Sequence, residues 1–170
     1  CKRADAYVVS GAHFSLAVSK KTGELSSYEL DGRECLRSGV RPCFGRANID
    51  NERIAQIPFD FVRTLIGLNA FKNASKAMTP LEVTATQGKD AVKITVRWLC
   101  RYLDRVETTY VVLPSGRVLV TQTCRNIVPM DLPRYGITFK LMSGEEGVTY
   151  YGKGPNEHYC ERKTGAYLGV

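Results

Sequence analysis

Arg46, Asp50, Asn51 and Glu52 lie close together in the chain and mix hydrogen-bonding types. A guanidinium only donates, a carboxylate only accepts, and an amide does both. That combination suits a hydroxyl-rich ligand, and it suits a polar interface with a neighbouring domain equally well. A second polar group is Glu157, His158 and Arg162. There, Glu157 and Arg162 can pair across a turn, while His158 can bond a ligand or satisfy the turn itself. Metal chemistry is poorly served. The six cysteines, Cys1, Cys35, Cys43, Cys100, Cys124 and Cys160, form no C-x-x-C pair, and His13 and His158 are the only histidines. Neither zinc nor any other cofactor is expected. A chain of 170 residues that is 44% hydrophobic needs no disulfide stapling, so free apolar thiols are expected at Cys100 and Cys124.

The elements that must hold these groups read as strands. Across residues 92–101, Val92, Ile94, Val96, Trp98 and Cys100 alternate with Lys93, Thr95, Arg97 and Arg101, and Leu99 is the exception. Such a period of two marks a strand with one dry and one wet face. Trp98 sits on the dry face and is expected in the core. A turn at Leu103-Asp104 leads to Val106, Thr108, Tyr110 and Val112 on a second strand. Pro114-Ser115-Gly116 turns into a third, residues 117–125. Short turns between successive strands predict an antiparallel meander. Upstream, Phe14, Leu16 and Val18 alternate with small residues before the turn Lys20-Lys21-Thr22-Gly23. Residues 24–30 return as a strand to a second turn at Asp31-Gly32. Further strands are expected at 81–86, 133–142 and 148–152. Residues 50–77 break the alternation. Phe59, Val62, Leu65 and Ile66 there have rough helical spacing after Pro58, which predicts a long connection with a short helix. The fold expected is all-β: one antiparallel sandwich or barrel domain over residues 1–170.

The formal net charge of +7 raises the question of a polyanionic partner. The basic residues are scattered, the densest group being Arg33, Arg37, Arg41 and Arg46, and no helix-turn-helix, zinc-finger or RNP-type pattern occurs. A solvated basic surface is expected, and no nucleic-acid partner. No apolar run reaches the roughly 18 residues that span a bilayer, so no membrane partner is expected either.

Two segments carry a family resemblance. Residues 14–28, FSLAVSKKTGELSSY, continue through Asp31-Gly32 to residues 38–52, SGVRPCFGRANIDNE. They resemble the opening of the small-chain domain of glycoside hydrolase family 2 β-galactosidases. In that family, a hairpin F-x-V-x-F-x-K-x-T-G-x-L-x-S precedes G-P-R-P-N-F-W-R-A-P-T-D-N-D. Residues 151–166, YGKGPNEHYCERKTGA, resemble the family's G-x-G-P-x-E-N-Y-P-D-R-x-x-G-A. The two segments occur in the family's order, about a hundred residues apart.

The resemblance implies a galactose-mutarotase-like β super-sandwich, here partial, that forms part of a larger bacterial enzyme, cytoplasmic or periplasmic. It implies retaining hydrolysis of terminal β-D-galactosides by two glutamates about 5 Å apart. Both belong to a (β/α)₈ barrel outside this chain, so no catalytic residue is assigned here. The implied partners are that barrel and, through the two polar groups above, a β-galactoside. Unpaired strand edges also leave room for self-association. The alternative is a stand-alone carbohydrate-binding or aldose-epimerase-like module, in which His13 and His158 would have to converge. Several positions depart from the family pattern. Gly45 replaces tryptophan, Cys43 asparagine, Asn48-Ile49 Pro-Thr, His158 asparagine, Cys160 proline and Glu161 aspartate. Losing the tryptophan removes a large apolar surface. In the second motif, Gly152 and Gly154 are expected to permit positive φ and close backbone approach.

Overall fold

The computed structural model describes residues 4–46, 71, 74, 76–127, 132–144, 147, 149–155 and 163–170. It contains strands β1 (Ala6–Ser10), β2 (Phe14–Ser19), β3 (Leu25–Leu30), β4 (Arg33–Glu34), β5 (Leu36–Cys43) and β6 (Thr79–Gln87). These are followed by β7 (Val92–Cys100), β8 (Leu103–Val112), β9 (Val118–Asn126), β10 (Gly136–Leu141), β11 (Gly152–Gly154) and β12 (Tyr167–Gly169). One sheet has the order β1-β2-β3-β5-β10, with β4 paired to β3. A second has the order β6-β7-β8-β9, and β11 pairs with β12 alone. The pairings within all three sheets are antiparallel.

The two large sheets share one core because each has a dry face with a period of two. Phe14, Leu16 and Val18 on β2, with Leu25, Leu36 and Val40, meet Ile94, Val96, Trp98 and Cys100 on β7 and Val106, Tyr110 and Val112 on β8. This is an all-β sandwich. Several of its polar interior groups are paired. The Trp98 indole Nε1 donates to Thr108 Oγ1 at 3.0 Å, both buried. Tyrosines bridge the sheets: Tyr7 Oη donates to the Val83 carbonyl at 3.4 Å, Tyr28 to Gly116 at 3.0 Å and Tyr110 to Val40 at 3.2 Å. Burial pushes the Tyr110 hydroxyl far above the ordinary tyrosine range, so it remains a donor.

The turns follow the residues that allow them. Asp31 and Gly32, at φ 48° and 80°, make the hairpin turn between β3 and β4, and Gly23 and Gly116, at φ 69° and 86°, occupy turn positions that disfavour a Cβ. The structure corrects the sequence reading in several places. The β7–β8 turn is at Arg101-Tyr102, and Leu103 already belongs to β8. The extra residues are taken up by a bulge between Asp104 and Glu107, where Arg105 has φ 50°. Strands β1, β5 and β12 were not anticipated. The strand expected at 148–152 is instead β11, Gly152–Gly154, which overlaps the expected range only at Gly152. Phe71, Ala74 and Lys76 have helical backbone, and Phe71 and Ala74 are buried. The helix expected around Phe59 to Ile66 lies outside the described residues. Cys35, Cys43, Cys100 and Cys124 are free thiols. Burial raises the Cys100 thiol, and at Cys124 burial and then the neighbouring Cys100 do the same, which keeps both protonated. Among the described residues, no helix is long and apolar enough to cross a membrane.

Candidate functional site

Of the residues singled out for binding, Arg46 alone is described; Asp50, Asn51, Glu52, Glu157, His158 and Arg162 lie outside the described residues. Arg46 follows β5, and its Nε donates to the Pro133 carbonyl at 2.6 Å, 87 residues away in the chain. The anchor beside it is apolar. Phe44 is fully buried and stacks on Tyr135 with ring centroids 6.2 Å apart. The Tyr135 hydroxyl donates in turn to the Gln122 carbonyl on β9. Arg46 and Tyr135 therefore tie the segment after β5, the start of β10 and strand β9 into one junction. A guanidinium suits this place because its rigid donors can hold a carbonyl in a fixed geometry. Sequence reading identified Arg46 but not its partners. Nothing in the order Pro133-Arg134-Tyr135-Gly136 signals a bridge to β9.

The second motif is described from Tyr151 to Pro155. Neither Gly152 nor Gly154 has positive φ, which corrects half of the expectation for them. The other half, close approach, is met at Gly154, where an added Cβ would lie 2.8 Å from the Tyr150 hydroxyl oxygen. Thr149, Tyr150, Gly152, Gly154, Pro155 and Tyr167 line a cavity of about 350 Å³. The aromatic faces and hydroxyls of Tyr150 and Tyr167 give it both apolar and hydrogen-bonding character.

One carboxylate missed at the sequence level has a clear structural task. Glu34 accepts from Ser27 Oγ at 2.5 Å, from the Tyr28 amide at 2.9 Å and from the Leu36 amide at 2.8 Å. It thereby joins β3, β4 and β5 where the chain changes partner. Burial alone would raise its carboxyl, but the hydrogen bonds from Ser27, Tyr28, Leu36 and Cys35 together outweigh burial and hold it below the ordinary glutamate range. His13 is equally well accounted for. Its Nδ1 lies 3.0 Å from Asp31 Oδ1, and both side chains are exposed.

Fold and junction together define a β-sandwich module whose described polar groups mostly brace its own strands. Comparison with known proteins places it more narrowly. The family described as beta galactosidase small chain matches residues 10–170, and the chain belongs to that family. A beta-galactosidase of Streptococcus thermophilus is 34% identical over 167 residues, covering 95% of this chain and 15% of that protein. One from Priestia megaterium is 30% identical over 164 residues, with the same two shares, and one from Halalkalibacterium halodurans is 28% identical over 165 residues. The chain thus spans about 15% of the length of these relatives.

Proposed function

We propose that this chain is a non-catalytic accessory domain of a retaining β-galactosidase and that a catalytic barrel elsewhere in the same polypeptide carries the hydrolytic glutamates. The supporting observation is the family match over residues 10–170, combined with a span of only about 15% of each full-length relative. Three of the described carboxylates have structural partners. Glu34 is committed to a strand junction, while Glu24 and Glu82 face Arg41 and Arg97 at the surface. A retaining glycosidase needs two carboxyl groups about 5 Å apart with one free to attack a sugar, a task for which Glu34 is not free. In this role Arg46 and the residues after it brace the sandwich against the barrel. The super-sandwich likeness to the galactose mutarotases belongs to the same proposal.

The test is hydrolysis of an aryl β-D-galactoside by the purified 170-residue chain and by the complete native polypeptide. The expected result is turnover by the complete polypeptide alone. Turnover by the purified chain would refute the accessory role.

A second reading rests on the cavity between Tyr150 and Tyr167, whose aromatic faces suit the apolar side of a pyranose ring. In that reading the domain also touches sugar. Saturation-transfer NMR with galactose should then show contact to tyrosine rings, and Tyr167→Ala should abolish it. An unchanged spectrum after that substitution would remove this reading.

A further inference from the structure

The end of the sandwich that carries the β2–β3 turn holds a cavity lined by residues of both sheets. Thr22 and Glu24 come from the turn and Arg41 from β5, while Met78 precedes β6 and Trp98 stands on β7. The cavity measures about 190 Å³. At about 30 Å³ per water in the liquid, that is space for about six waters or one small ring, and not for an oligosaccharide.

The charged groups of this cavity are fixed from beneath. The Ser19 amide donates to the Glu24 carbonyl at 2.9 Å, and the Ser19 carbonyl accepts from the Gly23 amide at 2.8 Å. The Thr22 amide donates to Ser19 Oγ at 3.1 Å, so the whole turn is braced. The Glu24 side chain then lies over Gly39 on β5. An added Cβ at Gly39 would stand 2.8 Å from both the Cβ and Oε2 of Glu24. Only glycine leaves the carboxylate room in that place. Glu24 Oε1 is 3.8 Å from Arg41 Nη1, inside ion-pair range and beyond hydrogen-bond range. The two charges therefore stand side by side without being joined, and 26% of the Glu24 side chain is open to solvent. The same cavity also touches the buried Trp98 and Pro42, which are apolar.

A carboxylate and a guanidinium this close select against ions. An anion placed on Arg41 meets Glu24, and a cation placed on Glu24 meets Arg41. A neutral group that both donates and accepts uses the two charges at once. Adjacent hydroxyls of a sugar ring do so: one O–H donates to the carboxylate, and the next oxygen accepts from the guanidinium. The C–H side of such a ring suits the indole edge. We propose that this cavity binds one neutral hexose, with two adjacent hydroxyls bridging Glu24 and Arg41 and with Gly39 holding the carboxylate in place. The site shares no lining residue with the cavity of Tyr150 and Tyr167. It goes beyond the accessory role, and only the choice of galactose as probe rests on that reading.

Two-dimensional NMR of the 170-residue chain tests this, because Trp98 is the only tryptophan and gives one set of indole signals. D-Galactose is expected to move the Trp98 ring signals and the Gly39 amide along one saturating curve in the millimolar range. Glu24→Gln keeps the shape and loses the charge, and Arg41→Lys keeps the charge and loses the fork; each should weaken binding by about tenfold. Gly39→Ala should weaken it as well, by displacing the carboxylate, yet add less than about twofold in the Glu24→Gln background. Arg97→Lys, at the exposed pair with Glu82, should leave the curve unchanged. The amide spectrum shows that each variant is folded. A response at Trp98 that fails to saturate, or equal curves for wild type and Glu24→Gln, would overturn the proposal. Tighter binding of D-galacturonate than of galactose would overturn it too, since the site would then take an anion. So would loss of the Trp98 curve in Tyr167→Ala, which would place the sugar in the other cavity. Hydrolysis of aryl galactosides is read in a separate assay, so failure of the accessory reading leaves this result standing.

Discussion

Replacing Gly23 with alanine tests how tightly the β2–β3 turn is seated on the core. Gly23 has φ 69°, and a Cβ there would lie 2.7 Å from Trp98 Cη2 and 2.8 Å from Val96 Cγ1. Both neighbours are buried, so neither can swing into solvent. An L-residue held in the left-handed region costs about 1–2 kcal/mol. Forcing a methyl against a filled core adds about 1–3 kcal/mol. Gly32 separates the two effects, because its φ is 80° and an added Cβ would meet nothing within 4 Å. Gly32→Ala should therefore show the backbone cost alone, about 1–2 kcal/mol, and Gly23→Ala about 2–5 kcal/mol. Trp98 is the only tryptophan in the chain, so urea unfolding followed by its fluorescence reports from the point of contact. With urea slopes of about 1–3 kcal/mol per molar, the two midpoints should differ by about 1 M. Native-state emission should also shift in Gly23→Ala and not in Gly32→Ala. Equal midpoints, or a larger loss at Gly32, would refute the packing argument and leave only backbone strain.

Four other changes follow from the hydrogen bonds. Thr108→Val removes the acceptor of a buried indole N–H and should cost about 1–3 kcal/mol, read by urea midpoint. Tyr110→Phe removes the buried hydroxyl that donates to the Val40 carbonyl and should cost about 1–2 kcal/mol, more than Tyr7→Phe at the half-buried edge, in the same titration. Glu34→Gln should destabilise the chain by about 1 kcal/mol at neutral pH. Because the folded carboxyl lies below its unfolded value, that stabilisation is complete above the unfolded pKa, about 4.3, and disappears as pH falls through the lower folded value. Wild type and Glu34→Gln should thus converge in stability in acid, and a gap independent of pH would show that charge is not the cause. Arg46→Ala should lower the stability of the complete polypeptide while leaving its KM for a galactoside unchanged, whereas a raised KM at unchanged stability would move Arg46 into the sugar site.

How much of this was legible depends on what each residue's neighbours were. Strands β2, β7 and β8 could be read because their dry faces meet another dry face within the chain. Selection for burial then writes Phe14-Leu16-Val18 and Ile94-Val96-Trp98 as clean alternation. Turns could be read wherever a left-handed residue was required, as at Gly23, Asp31-Gly32 and Gly116. Strand β5 escaped because Arg37, Gly39, Arg41 and Pro42 blur its pattern, although Leu36 and Val40 are buried. The β7–β8 turn was misplaced by two residues because a bulge consumed them, and bulges carry no periodic signal. The junction of Arg46, Tyr135 and Gln122 was invisible for another reason: its contacts join residues 87 and 13 positions apart, and no local rule encodes such distances. The same reasoning bears on β10. Its alternation of Ile137, Phe139 and Leu141 announces a buried face that the described residues do not bury. A sequence specifies burial for the molecule in which it evolved.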